Sequence, residues 1–461
     1  MSPGADPRAR PHALIFCAGT FEQMRDSLLA DAPDESVCFV LARAVRTTTG
    51  RWRLVVCEVL TVTAAEYTER SPVIACVAPH AVVRVMARAA ELGCAIFATH
   101  THTSGSTVPS ARDLHGEAAL FAAFRRRVGH DLPHGRLIVG QQSVHAALSD
   151  DSDVMSDVDV VTVGEHVRFV PNDQALRANP LFSDVFERQV RAFGADGQAA
   201  LGRLRVAIIG LGGTGSVAAQ QLAYLGVNGF LLIDPETVDT TNLNRIVGAN
   251  ISDERRPKVD VARDSILRIA PNAHVTALQA DISDSSILRL LLDVDFFFLC
   301  TDSHGSRAVV AQVAYQFLLP GIDMGVAIHS TRRGVSHIAG RVQMLAAGLP
   351  CLLCAEVLDS DAVRRDLLSG EARRADGYIA GRNVPQPAVI SINSAVASTA
   401  ITMFLSATTG IPLRTRNQRL RLEAGITSPI DTPVRPNCPW CTPSGALGRG
   451  DSWPMPGRAA C

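Results

Sequence analysis

Lysine is almost missing from this chain. Of its 44 basic residues, Lys258 is the single lysine. A genomic bias toward arginine codons explains this, as does avoidance of self-modification at lysine amines. Under either cause, a lysine at 258 marks a place where a compact ammonium serves and a planar guanidinium does not. Net charge is nearly absent too: 45 acids against 44 bases leave −1. That gives no electrostatic case for nucleic acid or for an anionic membrane surface. The opening MSPGADPRARPHA has no long apolar core, so no secretory signal is expected. One long, weakly polar segment runs from Ala388 to Ala407, but it carries Ser391, Asn393, Ser394, Ser398, Thr399 and Thr402. With Pro387 before it and Gly410 after it, it reads as the buried helix of a soluble protein, not a membrane span. The 11 cysteines are an odd number, and four of them sit in C-x-x-C pairs. Thiols and metal in a reducing, cytoplasmic setting are expected, not disulfides.

What is present is a globular composition, 47% hydrophobic over 461 residues, enough for two or three domains with large cores. The chain is organised around Leu204 to Arg245, which reads LRVAIIGLGGTG, a helix-like segment, then GFLLIDPETVDTTNLNR. Val206 to Ile209 is an apolar run of the kind that forms a buried parallel strand. Gly210, Gly212 and Gly215 follow it as G-x-G-x-x-G, with Gly213 as a fourth glycine. Such a turn lets the backbone approach a phosphate while the next helix aims its N-terminal N–H groups at the anion. Phe230 to Ile233 is the next strand, and Asp234 at its end is placed to hold ribose hydroxyls.

That much suits a dinucleotide site equally well. Asn242, Arg245 and Lys258 follow just downstream, and Asp302 ends the apolar run DVDFFFLCTD. Cations and a carboxylate around a glycine cradle suit a triphosphate with Mg²⁺ better than a nicotinamide. Two C-x-x-C pairs, Cys351/Cys354 and Cys438/Cys441, then close the region. Together these features resemble the ThiF/MoeB/ubiquitin-activating superfamily over roughly residues 180 to 445. The resemblance implies a Rossmann-like, mostly parallel sheet with helices on both faces. It also implies adenylation of the C-terminal glycine of a ubiquitin-like or sulfur-carrier protein. Gly210, Gly212, Gly213 and Gly215 would cradle ATP, Asn242, Arg245 and Lys258 would orient the triphosphate, and Asp302 would hold Mg²⁺. FERQVRAF resembles the superfamily's leading helix, by which Arg188 would reach the phosphates of the partner subunit in a homodimer. The four paired cysteines are expected to form one closed structural zinc site. The stretch SDAVRRDLLSGEARRADGYIAGRN between the pairs resembles the crossover loop over a bound carrier tail. Some members pass the activated carrier to their own cysteine, but none occurs between Cys354 and Cys438. A thioester on this chain would need Cys300 or Cys461 in an unusual role.

Residues 11 to 150 form another α/β unit. His12 to Ala18 and Val37 to Ala42 are strand-like, and Phe21 to Ala30 is helical. Val82 to Leu92 reads as a helix and Cys94 to Ala98 as a strand. At the end of that strand stands HTHTSGSTVPSARD. His100 and His102 are two apart on extended chain, so both rings face one side. With Asp113 they make three ligands and leave a fourth zinc position for water. The pattern H-x-H-x(7)-S-x-x-D resembles the JAMM/MPN (JAB-like) metalloproteases, with Thr101 and Thr103 where that family more often has Ser and Pro. The resemblance implies Glu35 as general acid/base, with Glu58 the second choice, and Ser110 as oxyanion stabiliser.

Residues 151–179 read as a linker, although VVTVGEHVRFVP is β-prone and fits either the last strand of the first domain or packing between domains, and residues 446–461 read as a flexible tail. The whole chain resembles bacterial fusions of these two domains associated with ubiquitin-like conjugation. Expected is an enzyme that adenylates a ubiquitin-like protein and cleaves the same protein as a zinc isopeptidase, using ATP, Mg²⁺ and two zinc ions. A conjugating enzyme is a further expected partner. Sulfur-carrier activation and a non-catalytic scaffold that binds the carrier are the alternatives.

Overall fold

The computed structural model describes residues 10–150, 154–177, 184–331, 334–368 and 387–458, in two compact units.

The first unit contains β1 (His12–Cys17), α1 (Ala18–Leu29), β2 (Val37–Arg46), β3 (Trp52–Thr61), β4 (Tyr67–Ser71), β5 (Ile74–Val77), α2 (Pro79–Leu92), β6 (Ala95–Thr101), α3 (Ala111–Val128), β7 (His134–Val139), β8 (Val144–Ser149), β9 (Met155–Val163), β10 (Val167–Phe169) and α4 (Asp173–Arg177). Its sheet runs β1-β3-β2-β6-β7-β8-β9-β10, and β9 also pairs with β1, so the row of strands closes. Alternation along β2 shows why the sheet carries a core on each side. Val40 and Ala42 join Leu14, Leu54, Phe97 and Leu137 on one face. Phe39 and Leu41 join Val85, Ala89, Phe121 and Phe124 on the other, where α2 and α3 pack.

Of the readings open for VVTVGEHVRFVP, the pairing is that of a strand of the first unit. His12 to Cys17 pairs in parallel with Val158 to Val163, and Ser149 pairs with Met155. The first unit therefore runs to Val163 and resumes at Arg168. The alternating apolar residues of β9 are buried on this sheet, which the acidic residues before them obscure in the sequence.

The second unit contains α5 (Glu187–Arg203, broken at Phe193–Gly194), β11 (Arg205–Ile209), α6 (Gly213–Tyr224), β12 (Gly229–Ile233), α7 (Lys258–Ile269), β13 (His274–Leu278), α8 (Ser285–Leu288), β14 (Phe296–Leu299), α9 (His304–Gln316), β15 (Gly321–Thr331), β16 (Gly334–Leu345), α10 (Ser360–Leu367), α11 (Ile390–Thr409), β17 (Asn417–Arg421) and β18 (Ile426–Pro429). Strand order is β13-β12-β11-β14-β15-β16-β17-β18. The pairings from β13 to β15 are parallel, and those from β15 to β18 are antiparallel. From β11 the chain moves outward to β12 and β13, then returns to place β14 on the other side. That reversal opens a crevice at the carboxyl ends of β11 and β14, where ligands bind in open α/β sheets.

Among the described residues, α11 is the one helix long and apolar enough to cross a membrane. It is instead a core element: Val396, Ala397, Ala400 and Phe404 are buried, and Phe404 meets Phe296 edge-on with ring centroids 4.9 Å apart. The tail expected to be flexible has defined structure as far as Arg458. Gly450–Ser452 forms a 3₁₀ turn packed on β2 of the first unit. In the second unit, Arg458 pairs with Asp281 at 2.5 Å and Asp284 at 2.9 Å. A guanidinium held by two carboxylates anchors a segment whose Pro/Gly-rich composition reads as disorder. Cys461 and residues 369–386, most of the expected crossover loop, lie outside the described residues.

Candidate functional site

In the first unit His100 ends β6 and His102 follows it, its N–H donating to Val139 O. Asp113 comes from the first turn of α3. Ser110 is the N-cap of that helix: its hydroxyl accepts from Asp113 N at 3.2 Å, and its N–H donates to Asp113 Oδ2 at 2.7 Å. This capping box fixes the carboxylate toward the strand end. His100 Nε2 lies 3.2 Å from His102 Nε2, and each is 3.4 Å from an oxygen of Asp113. Ligands about 2.0 Å from a tetrahedral zinc stand roughly 3.3 Å apart, so the three atoms match that sphere. The His100 ring and the Ser110 amide hold Asp113 well below the usual carboxylate range, although burial alone would raise it. His102 Nδ1 donates to Ser106 O at 2.9 Å, which leaves Nε2 as the free ligand atom.

Glu35 is half-buried two residues before Val37, which pairs with His100. Burial raises its carboxyl above the ordinary value, opposed by the two histidines. Glu58 pairs with Leu41, and Leu41 with Ile96, four residues back along β6 from His100. That is about 13 Å of strand, and Arg88 already holds Glu58 at 2.9 Å. Glu35 is thus the carboxylate beside the histidines.

Sequence reasoning missed Asp173. Its carboxylate accepts from Thr107 N at 2.8 Å, Thr107 Oγ1 at 2.9 Å and Ser106 Oγ at 3.0 Å, and from the Ser143 hydroxyl. It pins the loop whose carbonyl orients His102. No local spacing marks it, because its partners are 66 and 30 residues distant.

In the second unit the glycine turn closes β11 onto α6. Gly210 has φ +87°, and a Cβ there would come within 3.0 Å of the Cys300–Thr301 backbone. A Cβ on Gly215 would stand 1.9 Å from Gly210 O, and one on Gly213 would stand 2.1 Å from Asn393 Nδ2. Gly212 is different: nothing lies within 4 Å of its Cβ position. Three glycines are therefore required by packing, and the fourth faces open space at the N-terminus of α6.

Around this turn the structure gathers most of the expected residues. The aliphatic part of Arg245 lies 3.5 Å from the Gly213 Cβ position, and its guanidinium donates to Thr241 O at 2.7 Å. Asn242 is half-buried one turn earlier in the chain. Asp302 is exposed just past β14, next to the strand end that Gly210 touches. Lys258 is buried, and its Nζ lies 2.5 Å from Glu236 Oε2.

Asp234, expected at the ribose, also holds the glycine loop. It is buried, and its two oxygens accept from Leu211 N at 2.6 Å and Glu236 N at 2.8 Å. Burial raises this carboxyl, opposed by the Leu211 amide. It shapes the glycine loop, and Glu236, two residues on and exposed, carries the carboxylate that pairs with Lys258. Arg188 is exposed on α5, whose neighbouring Gln189 bonds Tyr224 O at the far end of α6. Eleven helical residues, about 16 Å, separate that end from Gly213, so one chain does not bring Arg188 to the turn. Arg307 is largely buried, and with Arg341 it pairs with the fully buried Asp323, which lies opposite Leu299 at the same edge of the sheet. A groove of about 220 Å³ beside this cluster is floored by Gly325, Ala327, Ala339 and Gly340.

The four cysteines come together as expected. All are buried, with sulfur separations of 3.7 Å (Cys351–Cys354), 3.5 Å (Cys351–Cys438) and 3.6 Å (Cys354–Cys441). Sulfurs 2.3 Å from a tetrahedral zinc stand about 3.8 Å apart. Arg435 N donates to Cys354 Sγ at 3.3 Å, the amide-to-sulfur bond that supports a thiolate.

These features define a nucleotide-type α/β crevice with a cysteine-knuckle site in one unit and a histidine–carboxylate centre in the other. The chain belongs to the ThiF family, whose family model matches residues 186–439, more than half its length. Residues 18–147 match the prokaryotic homologs of the JAB domain. Relatives include molybdopterin-synthase adenylyltransferase of Escherichia coli K12, 39% identical over 124 residues, covering 26% of this chain and 50% of that one. The adenylyltransferase and sulfurtransferase uba4 of Emericella nidulans is 27% identical over 273 residues, covering 57% and 54%. The chain spans about half the length of the curated relatives it matches. Among solved structures, E. coli MccB with ATP is similar at 16% identity and a TM-score of 0.46, covering 57% of this chain and 75% of that one.

Proposed function

We propose that the second unit is an ATP-dependent adenylyltransferase acting on the C-terminal glycine of a ubiquitin-like or sulfur-carrier protein. The observation that carries this is the open space over Gly212 at the N-terminus of α6, with Arg245 against the neighbouring Gly213 position. The carrier carboxylate attacks the α-phosphate and pyrophosphate leaves, giving an acyl-adenylate. Arg245, Asn242 and Lys258 neutralise the charge that develops on the phosphates. Asp302 is the residue that would hold Mg²⁺. Asp234 takes the ribose and keeps the loop in shape, and Glu236 positions Lys258. The glycine- and alanine-floored groove suits an extended tail ending in glycine. Relatives named for activity on sulfur carriers, including the E. coli sulfur carrier protein ThiS adenylyltransferase, support the carrier class. Arg188 completes the site of a partner subunit in a homodimer, and the adenylate passes to a conjugating enzyme.

The first unit is a zinc-dependent isopeptidase or processing peptidase for the same carrier. His100, His102 and Asp113 would hold the zinc, which supplies Lewis acidity at the scissile carbonyl. Glu35 takes and returns the proton of the attacking water, and Ser110 donates to the oxyanion. Two measurements test the two sites separately. Zinc per chain should be two and fall to one in His102→Ala, and pyrophosphate release with ATP and a glycine-ending ubiquitin-like protein should persist in that variant. One zinc unchanged by the mutation would remove the peptidase, and absence of ATP binding would remove the adenylyltransferase.

A further inference from the structure

We infer that Asn393 is a phosphate-binding residue: its side-chain amide donates to the phosphate seated at the N-terminus of α6. This rests on reading the second unit as an adenylyltransferase. Asn393 lies in the first turn of α11 and is only 5% exposed. Its backbone N–H donates to Val389 O, but its side chain makes no hydrogen bond among the described residues. A largely buried side-chain amide with no protein partner is uncommon in native structures and calls for an explanation.

The amide is aimed at the glycine turn. Its Nδ2 occupies the place where a Gly213 side chain would be, 2.1 Å from that Cβ position. On the neighbouring residue, Gly212, the corresponding direction is open. Arg245 approaches the same Gly213 position from its own side, at 3.5 Å. An anion over Gly212–Gly213 therefore meets three kinds of donor: the unpaired first N–H groups of α6, the Arg245 guanidinium and the Asn393 amide. The placement is held farther along both helices, where Gln221 Nε2 of α6 donates to Ser398 Oγ of α11 at 2.8 Å. The long separation in sequence, 213 to 393, hides this pairing from any motif.

The test uses the full-length protein and titration calorimetry with ATP, AMP and adenosine, each with Mg²⁺. Asn393→Ala should bind ATP and AMP roughly ten- to hundredfold more weakly, as for a lost hydrogen bond to a charged group, and adenosine as the parent does. Asn393→Asp, which keeps the shape but faces phosphate with oxygens, should lose more for ATP and AMP. Parental ATP affinity in both variants would overturn the inference, and so would equal losses for ATP and adenosine, which mark a purely structural role. Wild-type protein that binds no ATP would overturn the adenylyltransferase reading itself, and this inference with it.

Discussion

Replacing Asp173 tests how the histidine centre is held. The carboxylate takes four hydrogen bonds, from Ser106 Oγ, Thr107 N, Thr107 Oγ1 and Ser143 Oγ. Thr107 and Ser143 are buried, at 1% and 4% exposure, so water does not replace the lost acceptor. Hydroxyls can turn to other partners, but the Thr107 N–H cannot. Asp173→Ala should therefore cost about 2–4 kcal/mol of first-unit stability. Asp173→Asn keeps one oxygen for Thr107 N and lets the hydroxyls face the new amide, so it should cost about 1 kcal/mol. The effect reaches the metal through Ser106, whose carbonyl orients His102. Outer partners of this kind are worth about ten- to hundredfold in metal affinity. Chelator competition on the full-length protein should show zinc weakened at the histidine centre in the order Ala, then Asn, then parent. The four-cysteine site, whose ligands lie in the other unit, serves as the internal reference. The Ser143 hydroxyl and the Thr107 amide also hold Asp173 well below its ordinary value. A depressed folded pKa gives stability that is present above the unfolded value, 3.8, and lost as pH falls below it. The reasoning fails if a folded Asp173→Ala protein binds zinc as the parent does, or if both sites weaken equally.

Two further predictions follow from burial and packing. His134 is fully buried, its Nδ1 accepts from Ile96 N at 3.0 Å, and burial pushes its pKa down to about 4 from 6.5. The unfolded chain then takes the proton first, so first-unit stability should fall by about 3 kcal/mol as pH drops from 6.5 to 4, and then level off. Amide exchange in β6 and β7 across that range reads the slope, which His134→Gln should flatten; an unchanged slope refutes the assignment. In the glycine turn, Gly215→Ala drives a Cβ into Gly210 O and should abolish both the cooperative melt of the second unit and ATP binding. Gly212→Ala meets nothing, and its φ of −74° suits any residue. It should melt like the parent and bind ATP at least tenfold more weakly, and unaltered ATP affinity would mean that the phosphate sits elsewhere.

The local chemistry of both sites is legible because it depends on short spacings. His100, His102, Ser110 and Asp113 fall within one strand end and one helix cap, so their convergence follows from strand alternation and a capping box. Gly215 is similar, since a Cβ there would meet Gly210 O five residues back. Asp234 is legible as a strand-end carboxylate, but that it also accepts from Leu211 N and Glu236 N depends on how the turn folds back over it. The tail to Arg458 was misread because composition reports loop character but not the two aspartates waiting for its guanidinium.

Sequence by itself thus determined the α/β class, the order of the two domains, the grouping of His100, His102 and Asp113, each C-x-x-C pair and the glycine turn, all encoded in periodicity and in contacts between near neighbours. Tertiary structure alone decided that β9 closes the first sheet. It also decided that Asp173 holds the His102 loop, that Glu35 and not Glu58 faces the histidines, and that Asn393 points into the glycine turn. Each of these depends on packing between segments tens to hundreds of residues apart, where neither spacing nor propensity carries information.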